Sequence, residues 1–150
     1  MQNIAATCIE KDGIGLLIIG QSGIGKSSLA LKLIDEGAFL ISDDRTLIID
    51  NRERLTATVP ETIQQQIEVR GIGVISGLPY KKETIVSAVI HLIDTEPERM
   101  PSEVYTKVCG QEILTFSFYN KDFSLTNKVN LVIRLLKKEV FFVAERRNKC

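Results

Sequence analysis

Gly20-Gln21-Ser22-Gly23-Ile24-Gly25-Lys26-Ser27 fits Gly-x-x-x-x-Gly-Lys-Ser, the spacing of a cradle for the phosphates of a nucleoside triphosphate. Its flanks supply the context the motif requires. Ile14 to Ile19 is a short apolar run suited to a buried strand. Ser28 to Glu36 carries apolar residues at 29, 30, 33 and 34, a helical stripe that ends at Gly37. Strand, glycine turn and helix in that order bring backbone N–H groups and the positive end of a helix around an anion. Lys26 is expected to reach the outer phosphates and the Ser27 hydroxyl to ligate magnesium. The alternative is an ordinary glycine-rich turn between strand and helix, and the match of every motif position in this setting favours phosphate binding.

Around this motif the chain has ordinary proportions. Its 150 residues suit one domain, 44% are hydrophobic and 25% charged, and 19 basic side chains balance 19 acidic ones. That balance points away from a nucleic-acid footprint or a polybasic membrane surface. No apolar run approaches a membrane span, and Met1-Gln2-Asn3-Ile4 lacks the basic and apolar regions of a signal peptide. The three cysteines, Cys8, Cys109 and Cys150, have no metal-ligand spacing and read as reduced thiols of a cytoplasmic protein. Cys8 suits core filler and Cys150 a frayed terminus.

Most of the remaining chain reads as β-structure. Strands are expected at Ala38 to Ser42, at Thr46 to Ile49 before a turn at Asp50-Asn51, and at Val86 to Ile93, the strongest later core strand. Leu114 to Phe118 alternates as a strand near an edge would. Ile67 to Ile75 has the alternation of a half-buried strand, with glycines that imply a loop or a close backbone approach. Asn127 to Lys138 suits a closing helix, and Glu96 to Pro101 a surface loop. One long helix beside the phosphate loop among many strands does not suit a doubly wound kinase, whose alternating units place helices on both sheet faces. The expected fold is therefore α/β with a mixed sheet around the phosphate loop, in a single domain over 1–150.

Asp43-Asp44 follows the strand after the loop helix, where a carboxylate can reach magnesium, its water or a nucleophile. Adjacent strand residues point to opposite faces, so one aspartate of the two is expected to face the site unless the strand breaks. A solvated Asp-Asp-Arg turn is the competing reading, and the pair alone does not decide between them.

Taken together, the phosphate loop, its helix, Ser42-Asp43-Asp44 and the stretch Ile67-Glu68-Val69-Arg70-Gly71-Ile72-Gly73-Val74-Ile75 resemble the catalytic domain of the HPr kinase/phosphorylase family. Those enzymes are bifunctional bacterial regulators of the phosphotransferase system. Ile4-Ala5-Ala6-Thr7-Cys8 is similar to the start of the short alphaproteobacterial form, which lacks an N-terminal domain. The resemblance is clear over residues 4–76, loose over 86–118 and uninformative beyond. It implies a fold related to phosphoenolpyruvate carboxykinase, and transfer of phosphate from ATP or pyrophosphate to a serine of the carrier protein HPr. It also implies removal of that phosphate by phosphorolysis, and a hexamer. By position it makes Lys26 the neutraliser of developing phosphate charge, Ser27 and Glu68 magnesium ligands, and Asp44 the base on the substrate serine. Arg70 falls within the signature stretch. Arg99 is either the counterpart of an active-site arginine or an exposed loop charge.

The chain departs from the family pattern in two places. Ala5 stands where the family carries a histidine, and no Gly-Arg-Asn tripeptide, linked in longer members to dephosphorylation, occurs between Phe116 and Val132. The lone histidine, His91, lies in an apolar strand and reads as a core or sheet-face residue. These departures weaken the phosphorylase expectation more than the kinase one. Three other functions fit the loop. A different small-molecule or nucleoside-phosphate kinase would need an arginine-bearing helical lid, and none is evident. A GTP-binding switch would need Asn-Lys-x-Asp, which Asn120-Lys121-Asp122-Phe123 narrowly misses. A degenerate member that binds nucleotide and regulates by contact is the third.

Overall fold

The computed structural model describes residues 1–143; Cys150 lies outside them. In chain order the elements are β1 (Gln2–Ile4), β2 (Thr7–Lys11), β3 (Ile14–Ile19), α1 (Lys26–Asp35), β4 (Phe39–Ser42), β5 (Thr46–Asp50) and β6 (Leu55–Thr58). A short 3-10 turn (Glu61–Ile63) precedes β7 (Gln66–Val69), β8 (Gly73–Ser76), β9 (Glu83–Ile93), β10 (Val104–Val108), β11 (Gln111–Tyr119) and α2 (Leu125–Leu136).

The sheet is organised around β9. One side of this strand pairs in parallel with β3, and the other pairs first with β6, antiparallel, and then with β11, parallel. Beyond β3 the order continues antiparallel through β2 to β4, beyond β6 through β5 to β1, and β10 flanks β11. The sheet is mixed, as the sequence implies. β3, β9 and β11 run in parallel, and β4 points the same way because it and β3 are both antiparallel to β2. The carboxyl ends of these strands share one edge, the usual location of a ligand crevice in α/β sheets.

Alternation then sorts the core. Leu16 and Ile18 of β3 join Ala88, Ile90 and Leu92 of β9 on the face covered by both helices. α1 contributes Leu29, Ala30, Leu33 and Ile34 there, and α2 contributes Leu125, Val129, Val132 and Ile133. Leu17 and Val89 point to the opposite face, where Ile48, Leu55, Ala57 and Val108 from β5, β6 and β10 cover them. Val86 shares that second face with Val89 because the register shifts between Gly15 and Leu16. Cys8 is fully buried in the same cluster. Burial, with the charge of Glu10 added, pushes its thiol far above the ordinary range, so it is inert core filler.

One expectation is corrected. Residues 67–75 do not form a single strand. β7 and β8 make a separate two-stranded hairpin, pairing Ile67 with Ile75 and Glu68 with Val74. Gly71 lies in the turn between them, with Ile72 N–H donating to Val69 O at 3.0 Å. A nine-residue alternation cannot by itself distinguish one strand from two short ones folded back, and here the glycines mark the fold-back. Ile67, almost fully buried in the helix-side core, anchors the hairpin beside α1.

Candidate active site

The phosphate loop leaves β3 where the backbone of β9 is close. A Cβ on Gly20 would meet Leu92 O at 2.8 Å and Ile24 Cγ2 at 2.9 Å, so only glycine fits. Gly25 precedes α1 with φ +114, a backbone that an L side chain resists, and its carbonyl accepts from Leu29 N–H at 3.0 Å. No side chain caps the helix, so its first N–H groups are left for a ligand. The loop is also tethered from the neighbouring strands. Asn120, just past β11, donates Nδ2 to Ile24 O at 3.1 Å while its own N–H bonds Ile93 O at 2.8 Å. Its Oδ1 is buried without a partner among the described residues.

Lys26 is 8% exposed. Its Nζ donates to Gly20 O at 2.8 Å and Gln21 O at 3.2 Å, so the ammonium lies folded under the loop. It is held there by two carbonyls that an entering phosphate oxygen would outbid electrostatically.

Next to the loop, Asp43 gathers three donors and is itself buried. Oδ1 accepts from Ser27 Oγ at 2.6 Å and from Thr7 Oγ1 at 3.1 Å; Oδ2 accepts from Glu68 N–H at 3.0 Å. One carboxylate thus joins the loop helix, the start of β2 and the β7–β8 hairpin. Asp44 differs in every respect. It is exposed, takes φ +67, and uses its backbone N–H to donate to Thr7 Oγ1 at 3.1 Å. Strand alternation does not hold here, because β4 ends at Ser42 and the left-handed turn at Asp44 brings both aspartates to the same cavity.

That cavity is about 390 Å³, large enough for small-ligand recognition. It is walled by Ser22, Gly23 and the segment Gly25 to Ser28 on one side, and by Asp43, Asp44, Glu68 and Arg70 on the other. The Glu68 side chain is exposed toward it, with Arg70 two residues along the same strand end. Gly20, Gln21 and Ile24 shape the loop without walling the cavity. Arg99 is not brought in: it is exposed in the loop between β9 and β10. His91 is half-buried in the sheet between Ile19 and Ser117.

The Ser27 hydroxyl and the carboxylates of Asp43 and Glu68 are hard oxygen donors, the ligand type magnesium takes, so the residues present fit that ion. No group of three His, Cys, Asp or Glu able to hold a metal occurs among the described residues.

Thr7 and Asn120 are site-shaping residues that sequence reading misses. For Asn120 the only signal was its position in a near-match to a GTP-binding motif. For Thr7 the signal was its place in Ile4-Ala5-Ala6-Thr7-Cys8, the stretch similar to the start of the short family form, which gives the threonine no role. Among the described residues no helix is long and apolar enough to cross a membrane.

Comparisons with known proteins bear on the family and the fold. The chain is 31% identical over 105 residues to the HPr kinase/phosphorylase of Lactiplantibacillus plantarum, covering 65% of this chain and 33% of that one. It is 37% identical over 115 residues to that of an Acidovorax species, covering 68% and 36%. The chain thus spans about a third of the length of the curated relatives it matches. The solved structure of the Hpr(Ser) kinase/phosphatase from Coxiella burnetii superposes with TM-score 0.80 and 26% identity, covering 93% of this chain and 92% of that one. The architecture is the phosphoenolpyruvate-carboxykinase-like phosphate-loop fold that the sequence implies. The sequence model of the HPr Serine kinase C-terminal domain matches residues 1–133, and the chain belongs to that family.

Proposed function

We propose that this chain is an ATP-dependent protein-serine kinase whose acceptor is the phosphocarrier HPr. The observation that carries the reading is the pair of carboxylates with different surroundings in one cavity at the phosphate loop. Asp43 is buried and triply hydrogen-bonded to the loop and the hairpin, while the side chain of Asp44 is exposed in the same cavity. Such a division separates holding from reacting.

In this reading the N–H groups of the loop and the start of α1 hold the nucleotide phosphates. Lys26 leaves its carbonyl partners to neutralise charge that develops on the transferred group. Ser27, Asp43 and Glu68 would hold magnesium, which would supply electrostatic stabilisation of the phosphate oxygens. Asp44 accepts the proton of the acceptor serine as its oxygen bonds to the terminal phosphorus. The bond from that phosphorus to the bridging oxygen breaks, and ADP leaves. Arg70, at the cavity wall, is suited to contact phosphate or acceptor. The arginine role first considered for Arg99 has no geometric support.

Reverse phosphorolysis needs a protonated carboxyl that donates to the leaving serine oxygen. Ala5 offers no imidazole to pass that proton, and the expected phosphorylase activity is weak. Pyrophosphate as donor, a hexameric assembly and a cytoplasmic setting belong to the same reading by family resemblance. Incubation with labelled ATP, magnesium and purified HPr, followed by mass spectrometry of the product, tests it directly. One phosphoserine on HPr is the expected result, and ATP binding with no transfer to HPr would favour a nucleotide-binding regulator.

A further inference from the structure

We infer that Thr7 is a positioning residue of the active site, and that its hydroxyl sets the geometry of both aspartates. The inference rests on the kinase reading for its activity arm only.

Thr7 is fully buried at the first position of β2, beside Ile18 at the end of β3. Its Oγ1 stands between the two carboxylate residues. It donates its proton to Asp43 Oδ1 at 3.1 Å and accepts the backbone N–H of Asp44 at 3.1 Å. The direction of each bond is fixed by chemistry, since an amide can only donate and an ionised carboxylate can only accept. One rotor therefore orients a carboxylate and clamps the turn that carries the next one.

Both tasks matter at this position. Asp43 Oδ1 also receives the Ser27 hydroxyl at 2.6 Å, and Ser27 opens the loop helix. When that hydroxyl and carboxylate turn to a cation, the bond from Thr7 remains the buried contact holding Oδ1 in place. Asp44 has φ +67, an uncommon backbone for a residue other than glycine. Arg45 N–H to the Asp43 carbonyl and the Ser42 hydroxyl to the Arg45 carbonyl close this turn locally, and the Asp44 N–H bond to Thr7 ties it to β2 against an extended continuation of β4, which would send the side chain to the other face. The small methyl of Thr7 meets only the needs of packing. Hydroxyl and methyl thus have separable roles, and two substitutions separate them. Thr7→Val keeps the branched shape suited to a strand and removes the hydroxyl; Thr7→Ser keeps the hydroxyl and removes the methyl.

The experiment measures three quantities on wild type, Thr7→Val and Thr7→Ser: the thermal midpoint, ATP affinity by calorimetry with magnesium and with EDTA, and turnover on HPr. Loss of an outer partner of a metal-holding carboxylate typically costs about ten- to a hundredfold in metal affinity or activity. Thr7→Val should lose about that factor in kcat and in the tightening of ATP binding by magnesium, with ATP affinity in EDTA changed by less than about threefold. Thr7→Ser should restore both to within about threefold of wild type even where its midpoint falls. A Thr7→Val protein with wild-type kcat and magnesium response overturns the inference, as does a folded Thr7→Ser protein as impaired as Thr7→Val. Should Thr7→Val fail to fold, Thr7→Ser decides alone: retained kcat and magnesium response support the hydroxyl's role, and their loss overturns it. Wild type that binds ATP with magnesium but does not phosphorylate HPr defeats the kinase reading instead, and Thr7 is then judged on the magnesium gain in ATP affinity.

Discussion

Asp44→Asn is the most discriminating single change, because the surroundings of Asp44 predict a negligible effect on folding and a large one on turnover. The side chain is exposed, and the residue is tied to β2 by its backbone N–H bond to Thr7, which asparagine keeps. Asparagine is also among the few residues that tolerate a left-handed backbone such as φ +67. The expected change in stability is therefore within about 0.5 kcal/mol, a shift of the thermal midpoint of about 2 °C or less for a chain this size. Turnover should suffer far more. Loss of a positioned base typically costs about a hundred- to ten-thousandfold in rate, equivalent to about 3 to 5.5 kcal/mol of transition-state stabilisation. Since the base acts in the transition state, the ATP dissociation constant should move by less than about threefold. Asp43→Asn provides the internal contrast. Its amide can meet the full set only by reversing both hydroxyl bonds, with Nδ2 donating to Thr7 and Ser27 and Oδ1 accepting from Glu68 N–H, and every one of these bonds then loses its charge assistance. Hydrogen bonds to a charged group are worth about 1.5–3 kcal/mol and neutral ones about 0.5–1.5, so the midpoint should fall visibly. Steady-state kinetics on HPr at saturating ATP, with parallel thermal melts, checks both variants. An Asp44→Asn enzyme retaining more than about a tenth of wild-type kcat would refute the base assignment. A much larger kcat loss in Asp43→Asn at saturating magnesium would reverse the two roles.

Three further outcomes are expected. Glu68→Gln should raise the magnesium concentration for half-maximal activity with little effect on the melt, since its structural bond is made by the backbone N–H and its side chain is exposed; an unchanged magnesium titration would remove Glu68 from the metal site. Glu10 should contribute an acid-sensitive clamp between β2 and the start of β9 with the residues just before it. Burial pushes its carboxyl up, but hydrogen bonds from Lys81 and Thr84, both at 2.5 Å, and the Lys81 charge outweigh this and leave the pKa below the ordinary carboxylate value. A lowered folded pKa means the contribution is complete above about pH 4.3, the unfolded value, and fades as pH falls through the lower folded one. The midpoint difference between wild type and Glu10→Gln should thus be constant near neutrality and shrink in acid; a difference that widens in acid would contradict the sign. Finally, Ala5→His should raise phosphorolysis of phosphorylated HPr more than it raises kinase turnover, because it restores the histidine of the family pattern, and an imidazole titrating near neutral pH can return a proton to a carboxyl. Equal changes in both directions would count against that role.

The fold was legible wherever burial made one period dominate. The apolar run of β3, the stripe of α1 and the long β9 are each fixed by the core they fill, so their residue types alone place them. The strands at the rim were harder. Gln2–Ile4 and Val104–Val108 are mostly exposed, pair at edges and carry mixed residues, and the sequence gives no period for them to show. The hairpin of β7 and β8 has the correct alternation but folds back at Gly71. Only the pairing partner, which is tertiary information, distinguishes that from one long strand.

The site divides along the same physical line. The phosphate loop could be read because its geometry needs particular residues at particular positions: glycine where β9 crowds Gly20, and lysine and serine where a helix begins. The aspartates could be found but not oriented. Alternation sends neighbours to opposite faces only while a strand continues, and β4 stops one residue before Asp43. What stops it is not a glycine or proline in the sequence. Beyond the end of the strand, Arg45 N–H turns back to the Asp43 carbonyl at 2.7 Å and Asp44 N–H reaches Thr7, 37 residues earlier in the chain. A turn fixed by a distant hydroxyl has no local signature. Because of that turn, two adjacent acids share one cavity with different surroundings, one buried among donors and one open to solvent. That difference, more than the presence of two aspartates, is what allows one to hold while the other takes a proton.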